Sequence, residues 1–343
     1  MVRRIKIRKT PIFLMLLFTL VLSFSQVYFF SVTAFAPSVS DIPDSAAPSL
    51  SDAVLNPPLL LEFLIPHTVI KSPSNTGDVN SYQDPAVNEY IAIRMDTSHI
   101  SQGSLLLINH DNYFEIPDLN GFIVIDDKKT RSYRVSDENA LLSEAVIAPL
   151  NDMMEAFYAE TGQQSVTITS AFRNYDRQQK IHDEYVALMG QKEAIRWASL
   201  PGYSEHHAGL AVDLGIYSGG AERIFNGTGV YEWFSQHSYK YGFVLRFPSD
   251  KADITKIAYE PWHYRYVGEP HSYVMYENNL CFEEYIEMLT RHTFEEPYKI
   301  SYDKKEYVVY FSRDMSIPIP FDCEFDISGN NIDGFIITAK FSG

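Results

Sequence analysis

Cysteine is nearly absent from this chain: Cys281 and Cys323 are the only two in 343 residues, and no CxxC pair exists. A cysteine-based zinc site is thereby excluded. In an oxidising compartment the two thiols either join in one bridge, clipping the C-terminal segment to the helix before it, or stand free and buried. Basic residues are also in short supply, 28 Lys and Arg against 44 Asp and Glu, for a formal charge of −16. Binding to nucleic acid needs a basic stripe to meet the phosphates, so that class of partner is set aside. Acid is missing altogether before Asp41, and no internal repeat is evident.

Into that acid-free stretch the sequence puts Arg3, Arg4, Lys6, Arg8 and Lys9, followed by an uncharged and mostly apolar run from Pro11 to about Ala36. A basic flank before such a run reads as an export segment, with the basic end held in the cytoplasm. Ala34-Phe35-Ala36 fits a small-x-small cleavage site, while the whole span is long enough to stay as a membrane anchor, which takes roughly 20 residues. Residues 1–36 are therefore expected to be a signal peptide or an anchor. Without them the chain carries −21, since they hold five cations and no acid. The expected location is the outer face of the cytoplasmic membrane or the cell wall, or free secretion after cleavage.

Residues 37–60 have the Pro, Ser, Ala and Asp content of a linker. The remainder, rich in Tyr (23) and Phe (22), has ample material for a core. Ser104–Ile108 and Gly121–Ile125 read as short strands. A helix is expected from Ser136 to Thr161, stopped by Gly162, then a strand at Val166–Thr169, a helix Tyr175–Met189 capped by Asn174, and another over Gln191–Ser199. Further on, Gly229–Tyr241 reads as a helix stopped by Gly242. Phe243–Arg246 and His263–Val267 read as strands, and Ser272–Thr290 as a helix that closes a main domain over 61–293. The last segment, 294–343, reads as a small β extension that packs on that domain, with strands at Glu306–Phe311 and Gly334–Ala339 around a turn at Ser328–Asn331.

Two motifs carry the chemistry. Ser204-Glu205-His206-His207-Ala208-Gly209-Leu210-Ala211-Val212-Asp213 and Glu260-Pro261-Trp262-His263 together offer imidazoles, a carboxylate ligand and a second carboxylate to act as base. A catalytic zinc ion uses three protein ligands, an open position for water and a nearby proton acceptor. His206 and Asp213 are seven apart, a spacing one helix face would allow, but Gly209 and the Ala-Val-Asp-Leu run favour a turn leading into a strand. His207 adjoins His206 as an alternative ligand. Glu260, biased to extended backbone by Pro261, precedes the strand that carries His263. Each residue taken singly has an ordinary structural reading: a turn acid, a surface carboxylate, an ion pair at a helix flank. His67, His99, His110, His182, His237, His271 and His292 lack a partner at such spacing and receive no role.

Ser204-x-His206-x-x-Gly209-x-x-x-Asp213, Glu260-Pro261-Trp262-His263-Tyr264-Arg265-Tyr266-Val267-Gly268 and the upstream Ser170-Ala171-Phe172-Arg173 with Gln178 resemble the VanY-type D-alanyl-D-alanine carboxypeptidases, the zinc peptidases of family M15. The three motifs stand in the family's order over about 100–275. The resemblance implies an α+β fold, a mostly antiparallel central sheet with flanking helices carrying a mononuclear zinc site, of the hedgehog/DD-peptidase kind. It implies one Zn²⁺ held by His206, Asp213 and His263, with Glu260 as general base and acid. Arg173 is implied to bind the substrate's terminal carboxylate, with Gln178 and Ser204 adding hydrogen bonds. The implied substrate is a peptidoglycan stem peptide, cut at its terminal D-Ala-D-Ala bond. An L,D-carboxypeptidase, an endopeptidase or a D,D-dipeptidase would use the same zinc set. The reading from another class is an inactive cell-wall binding protein. The family core leaves the C-terminal β extension without a role.

Overall fold

The computed structural model describes residues 69–71 and 89–341, and the export segment 1–36 and linker 37–60 expected above lie outside them. In chain order the strands are β1 (Val69–Lys71), β2 (Glu89–Arg94), β3 (Phe122–Val124), β4 (Arg134–Val135), β5 (Leu141–Ser143), β6 (Val166–Ser170), β7 (Ala211–Ser218), β8 (Ala221–Ile224), β9 (Phe243–Leu245), β10 (His263–Tyr266), β11 (Tyr298–Tyr302), β12 (Lys305–Ser312), β13 (Ser316–Pro320), β14 (Glu324–Gly329) and β15 (Phe335–Phe341). The α-helices are α1 (Ile125–Lys128), α2 (Glu144–Thr161), α3 (Tyr175–Met189), α4 (Gln191–Ala194), α5 (Glu232–His237), α6 (Ala252–Thr255), α7 (His271–Glu277) and α8 (Phe282–Leu289). None among the described residues is long and apolar enough to cross a membrane.

The central sheet runs β4-β6-β7-β10-β9, with β8 added to β7, and only the β4/β6 pair is parallel. This is the mixed, mostly antiparallel architecture the sequence suggested. Helix α2 covers it through Val146, Ile147, Leu150, Met153, Met154 and Phe157, a stripe at three- and four-residue spacing that packs with Val212, Leu214 and Tyr264 of the sheet. Gly162, left-handed at φ 70°, ends that helix and sends its N–H to the Tyr158 carbonyl.

Five local expectations differ from what is found. The first helix starts at Glu144 rather than Ser136, because Leu141–Ser143 pair with β3 and Leu142 is buried there. The stretch 229–241 divides into a 3₁₀ turn, α5 and a second 3₁₀ turn before Gly242. The helix foreseen over Gln191–Ser199 stops at Ala194. The one foreseen over Ser272–Thr290 breaks at Asn278–Cys281, where Asn279 is left-handed at φ 48°, and α8 restarts on a cap between Cys281 and Glu284. Ser104–Ile108, buried from Leu105 onward, belongs to no ladder; instead, Arg265 Nη2 donates to the Ser104 and Leu106 carbonyls at 2.9 and 3.0 Å.

The C-terminal strands form the sheet β11-β12-β15-β14, while β13 leaves it to pair with β2 in the sheet β1-β2-β13. Helices α7 and α8 lie between that four-stranded sheet and the central one, in a core shared by Val244, Val267, Phe282, Leu289, Val309 and Ile336. Cys281 and Cys323 are free thiols, so the bridge is not made.

Within this core His271 accepts or donates to the Tyr285 hydroxyl at 2.7 Å and the Thr338 hydroxyl at 3.0 Å, joining α7, α8 and β15. Burial pushes its pKa down to about 3. The unfolded chain takes up a proton near pH 6.5 that the folded one refuses. Its contribution to stability is therefore complete above that pH and is lost as pH falls towards 3. This group alone is expected to cost about 2 kcal/mol of unfolding free energy near pH 5 relative to neutral pH. Denaturant unfolding of the metal-free protein at both pH values checks this. His271→Gln, which keeps a donor and an acceptor, should flatten the pH dependence by that amount; an unchanged slope would reject the assignment.

Candidate functional site

Strands β7 and β10 are antiparallel neighbours with His263 directly opposite Asp213. Residues facing one another across such a pair project side chains on the same face a few ångströms apart. His263 Nδ1 accordingly lies 3.0 Å from Asp213 Oδ1. His206 comes from a 3₁₀ turn, Glu205–Ala208, that precedes β7 and ends at Gly209 with φ 63°. A Cβ at Gly209 would sit 2.3 Å from the Phe122 ring, so the turn into the strand is made where only glycine fits. The turn brings His206 Nε2 within 3.3 Å of Asp213 Oδ2.

Donor atoms of His206, Asp213 and His263 all fall within 4.8 Å of one another. Around a tetrahedral zinc with bonds near 2.0–2.1 Å, adjacent donors stand about 3.3 Å apart, so the two measured spacings suit the ion. His206 Nε2 is buried with no hydrogen-bond partner among the described residues, a state that a bound cation would resolve. Burial, reinforced by Arg173, pushes His206 down to about 4, leaving its imidazole neutral as a ligand must be. The carboxyl of Asp213 is disfavoured by burial, but the two imidazoles outweigh this and hold it well below the usual range. The donor set fits zinc.

Backbone carbonyls and a buried carboxylate aim the imidazoles. The Nδ1 of His206 meets the Ala171 carbonyl at 2.6 Å, which turns Nε2 to the cluster. His207, the alternative ligand, is turned away: its Nδ1 meets the Arg173 carbonyl at 2.6 Å and its Nε2 accepts from Gly202 N–H at 3.0 Å. Both its nitrogens are thus occupied, Nδ1 tying the ligand turn to the 171–173 segment and Nε2 to the Gly202 backbone. His263 Nε2 stands 3.3 Å from Glu205 Oε2. Glu205 Oε1 in turn accepts from Arg246 Nε and Arg265 Nη1, both at 2.7 Å, and Arg246 also forks onto Glu283 at 2.7 and 2.8 Å. Burial alone would raise the Glu205 carboxyl, yet the two guanidiniums hold it far below the ordinary range. Sequence reasoning passed over Glu205, Arg246, Arg265 and Glu283.

A cleft of about 50 Å³ opens beside this cluster, its lining including Arg173, Gln178, Ser204, Glu260 and His263. All the remaining candidate residues thus meet in one place. Glu260 hangs from the turn before β10, with its N–H on the Phe247 carbonyl and a carboxylate oxygen 3.8 Å from His263 Nδ1. Burial pushes its pKa up to about 8, against the opposing pull of His263. Arg173 follows β6 and points Nη1 to within 3.8 Å of Asp213, while its buried Nε has no partner among the described residues. Burial also pulls its pKa down. Gln178, on the first turn of α3, donates from Nε2 to the Ser199 carbonyl at 2.7 Å and leaves Oε1 without a partner among the described residues. Ser204 stands at the position just before the ligand turn and makes no side-chain capping hydrogen bond there. A wall with an unmatched guanidinium N–H and an unmatched amide oxygen can receive a group that carries both a carboxylate and an N–H.

Residues 139–269, which hold the three donors together with Arg173, Gln178, Ser204 and Glu260, match the family model for VanY, D-alanyl-D-alanine carboxypeptidase. A D-alanyl-D-alanine carboxypeptidase of Enterococcus faecium is 32% identical over 270 residues, 77% of this chain and 81% of the relative. The bifunctional D-Ala-D-Ala dipeptidase and D-Ala-D-Ala carboxypeptidase VanXYC of Enterococcus gallinarum is 32% identical over 162 residues, 43% of this chain and 85% of its own. Among solved structures, the vancomycin resistance D,D-dipeptidase VanXYg in complex with a D-Ala-D-Ala phosphinate analogue superposes with a TM-score of 0.65 at 31% identity, over 73% of this chain and 98% of that one. With the length and level of that first match, the chain belongs to the VanY family of D-alanyl-D-alanine carboxypeptidases.

Proposed function

We propose that the protein is an exported zinc carboxypeptidase that removes the terminal D-alanine from peptidoglycan stem peptides ending in D-Ala-D-Ala. The observation that carries this reading is the unpartnered Arg173 guanidinium nitrogen, buried beside Glu260 and the three-donor cluster in one small cleft. His206, Asp213 and His263 would hold the ion, which when bound supplies a Lewis acid and a water of lowered pKa. Arg173 pairs with the substrate's terminal carboxylate and so sets the distance from the chain end to the cut. Gln178 Oε1 accepts from the terminal residue's amide N–H, and Ser204 adds a polar contact at the rim. Glu260 takes the proton of the attacking water and returns it to the departing amine nitrogen. The small cleft suits a terminal residue with a short side chain. Residues 1–36 would export or anchor the chain and 37–60 would tether it. Residues 61–293 would be the catalytic part and 294–343 its extension.

The test is incubation of the zinc-loaded protein with defined tri-, tetra- and pentapeptide stems, followed by mass spectrometry. Loss of a single alanine from the pentapeptide is the expected result. Release of the intact dipeptide would favour a D,D-dipeptidase activity like that of VanXYg, which is the second reading. Cleavage of the tetrapeptide alone would make it an L,D-carboxypeptidase.

A further inference from the structure

Residues 107–113 form a closed loop against the cleft. Asn109 and Asn112 exchange backbone hydrogen bonds at 3.4 and 3.1 Å, and the Asn109 side-chain oxygen accepts from the Asp111 and Asn112 N–H groups at 3.1 Å. Ile108, Asn109 and His110 line the cleft directly. Tyr113 packs edge-on against Tyr203, another lining residue, at 5.6 Å and meets Tyr175 hydroxyl to hydroxyl at 3.0 Å.

The base of this loop is closed by a residue more than two hundred positions away. Asn331, in the turn between β14 and β15, donates from Nδ2 to the Leu107 carbonyl at 3.2 Å and to the Tyr113 carbonyl at 3.1 Å, one at each end of the loop. The surrounding turn is itself sewn to the same segment. Ser328 Oγ accepts from Leu105 N–H at 2.9 Å, the Asn330 carbonyl accepts from Leu107 N–H at 3.1 Å, and Asn331 N–H donates to the Ile100 carbonyl at 2.9 Å. Asn331 holds φ 60°, a conformation asparagine tolerates, and the buried Asn330 side-chain oxygen accepts from the N–H groups of residues 332, 333 and 334. The turn is therefore rigid and presents the Asn331 amide at a fixed point.

We infer that the C-terminal β extension forms the outer support of the catalytic cleft, with Asn331 as a positioning residue that fixes the 107–113 loop for substrate binding. This rests on the reading of the cleft as the stem-peptide site. Asn331 touches neither the donor cluster nor Glu260, so its loss should weaken peptide binding and spare the chemical step. The experiment compares the full-length zinc-loaded protein with Asn331→Asp, which keeps the left-handed backbone but puts a carboxylate against two carbonyls. Asn331→Gly accompanies it; it accepts φ 60° without strain and simply deletes the amide. Both variants should raise KM for the pentapeptide about tenfold at a kcat within about twofold of wild type and unchanged zinc content. Amide hydrogen exchange across 107–113 should quicken about tenfold, with the 206–213 and 263–266 segments unaffected. Unchanged exchange in the loop overturns the inference, as does a fall in kcat with KM preserved. If wild type turns over no stem peptide, the functional reading fails by itself, and the exchange measurement still decides whether Asn331 holds the loop.

Discussion

Replacing Glu260 by glutamine is expected to lower kcat by about 10²- to 10⁴-fold while the purified protein still takes up zinc in full. The substitution conserves shape, and the side chain it alters sits 3.8 Å from His263 without belonging to the three-donor cluster. What disappears is the ability to accept a proton and hand it on. Burial pushes the Glu260 carboxyl up to about 8 in the metal-free protein, and a cation held at the adjoining donors would pull it back down, towards the ionised form that accepts a proton. Metal analysis and steady-state kinetics on the pentapeptide stem separate the possible results. Full turnover in Glu260→Gln would remove Glu260 from the mechanism, and loss of zinc would make it a ligand instead.

Much of this site is legible in the sequence because short segments carry it. His206 and Asp213 belong to one turn-and-strand unit, and Glu260 and His263 to another; glycine at 209 and proline at 261 mark where each chain bends. The strand bearing His263 and the helix bearing Gln178 follow from alternation and from the Asn174 cap, whose side chain accepts from Arg177 N–H at 2.9 Å. What periodicity could not supply is the meeting of separate strands. That His263 faces Asp213 is a matter of register between β7 and β10, fixed only when both pack against α2.

The helix break at Asn278–Cys281 shows the same limit from another side. Residues 272–290 read as one helix, yet Asn278 and Asn279 are weak helix formers, Asn279 takes a left-handed φ of 48°, and the helix starts afresh after Cys281. It is this restart that sets Glu283 on the first turn of α8, with its carboxylate forked by Arg246. The arginines themselves gave no signal, since Arg246 and Arg265 sit in strand-like stretches where a cation reads as solvent-facing, and both are fully buried. The role of the C-terminal turn was equally hidden, because Asn331 acts on carbonyls that any residue could provide.

The buried carboxylate at the centre of that network should matter to metal binding as much as the ligands' own neighbours do. Glu205→Gln is expected to weaken zinc affinity about 10- to 100-fold in a protein that still folds. The reason lies in which atom faces which. Oε1 receives both arginines, so a glutamine keeps its oxygen there and turns its NH₂ towards His263 Nε2. That nitrogen then accepts rather than donates, the ring proton moves to Nδ1, and Nδ1 is the atom that faces Asp213 and the donor cluster. Glu205→Ala is harsher, because Arg265 keeps only carbonyl partners in a fully buried position; a loss of about 3–5 kcal/mol in unfolding free energy is expected. Chelator competition gives the zinc affinity, and denaturant unfolding of the metal-free proteins gives the stability. If Glu205→Gln binds zinc as tightly as wild type, the carboxylate does not set the tautomer of His263, and the network serves only to join the ligand turn to α8.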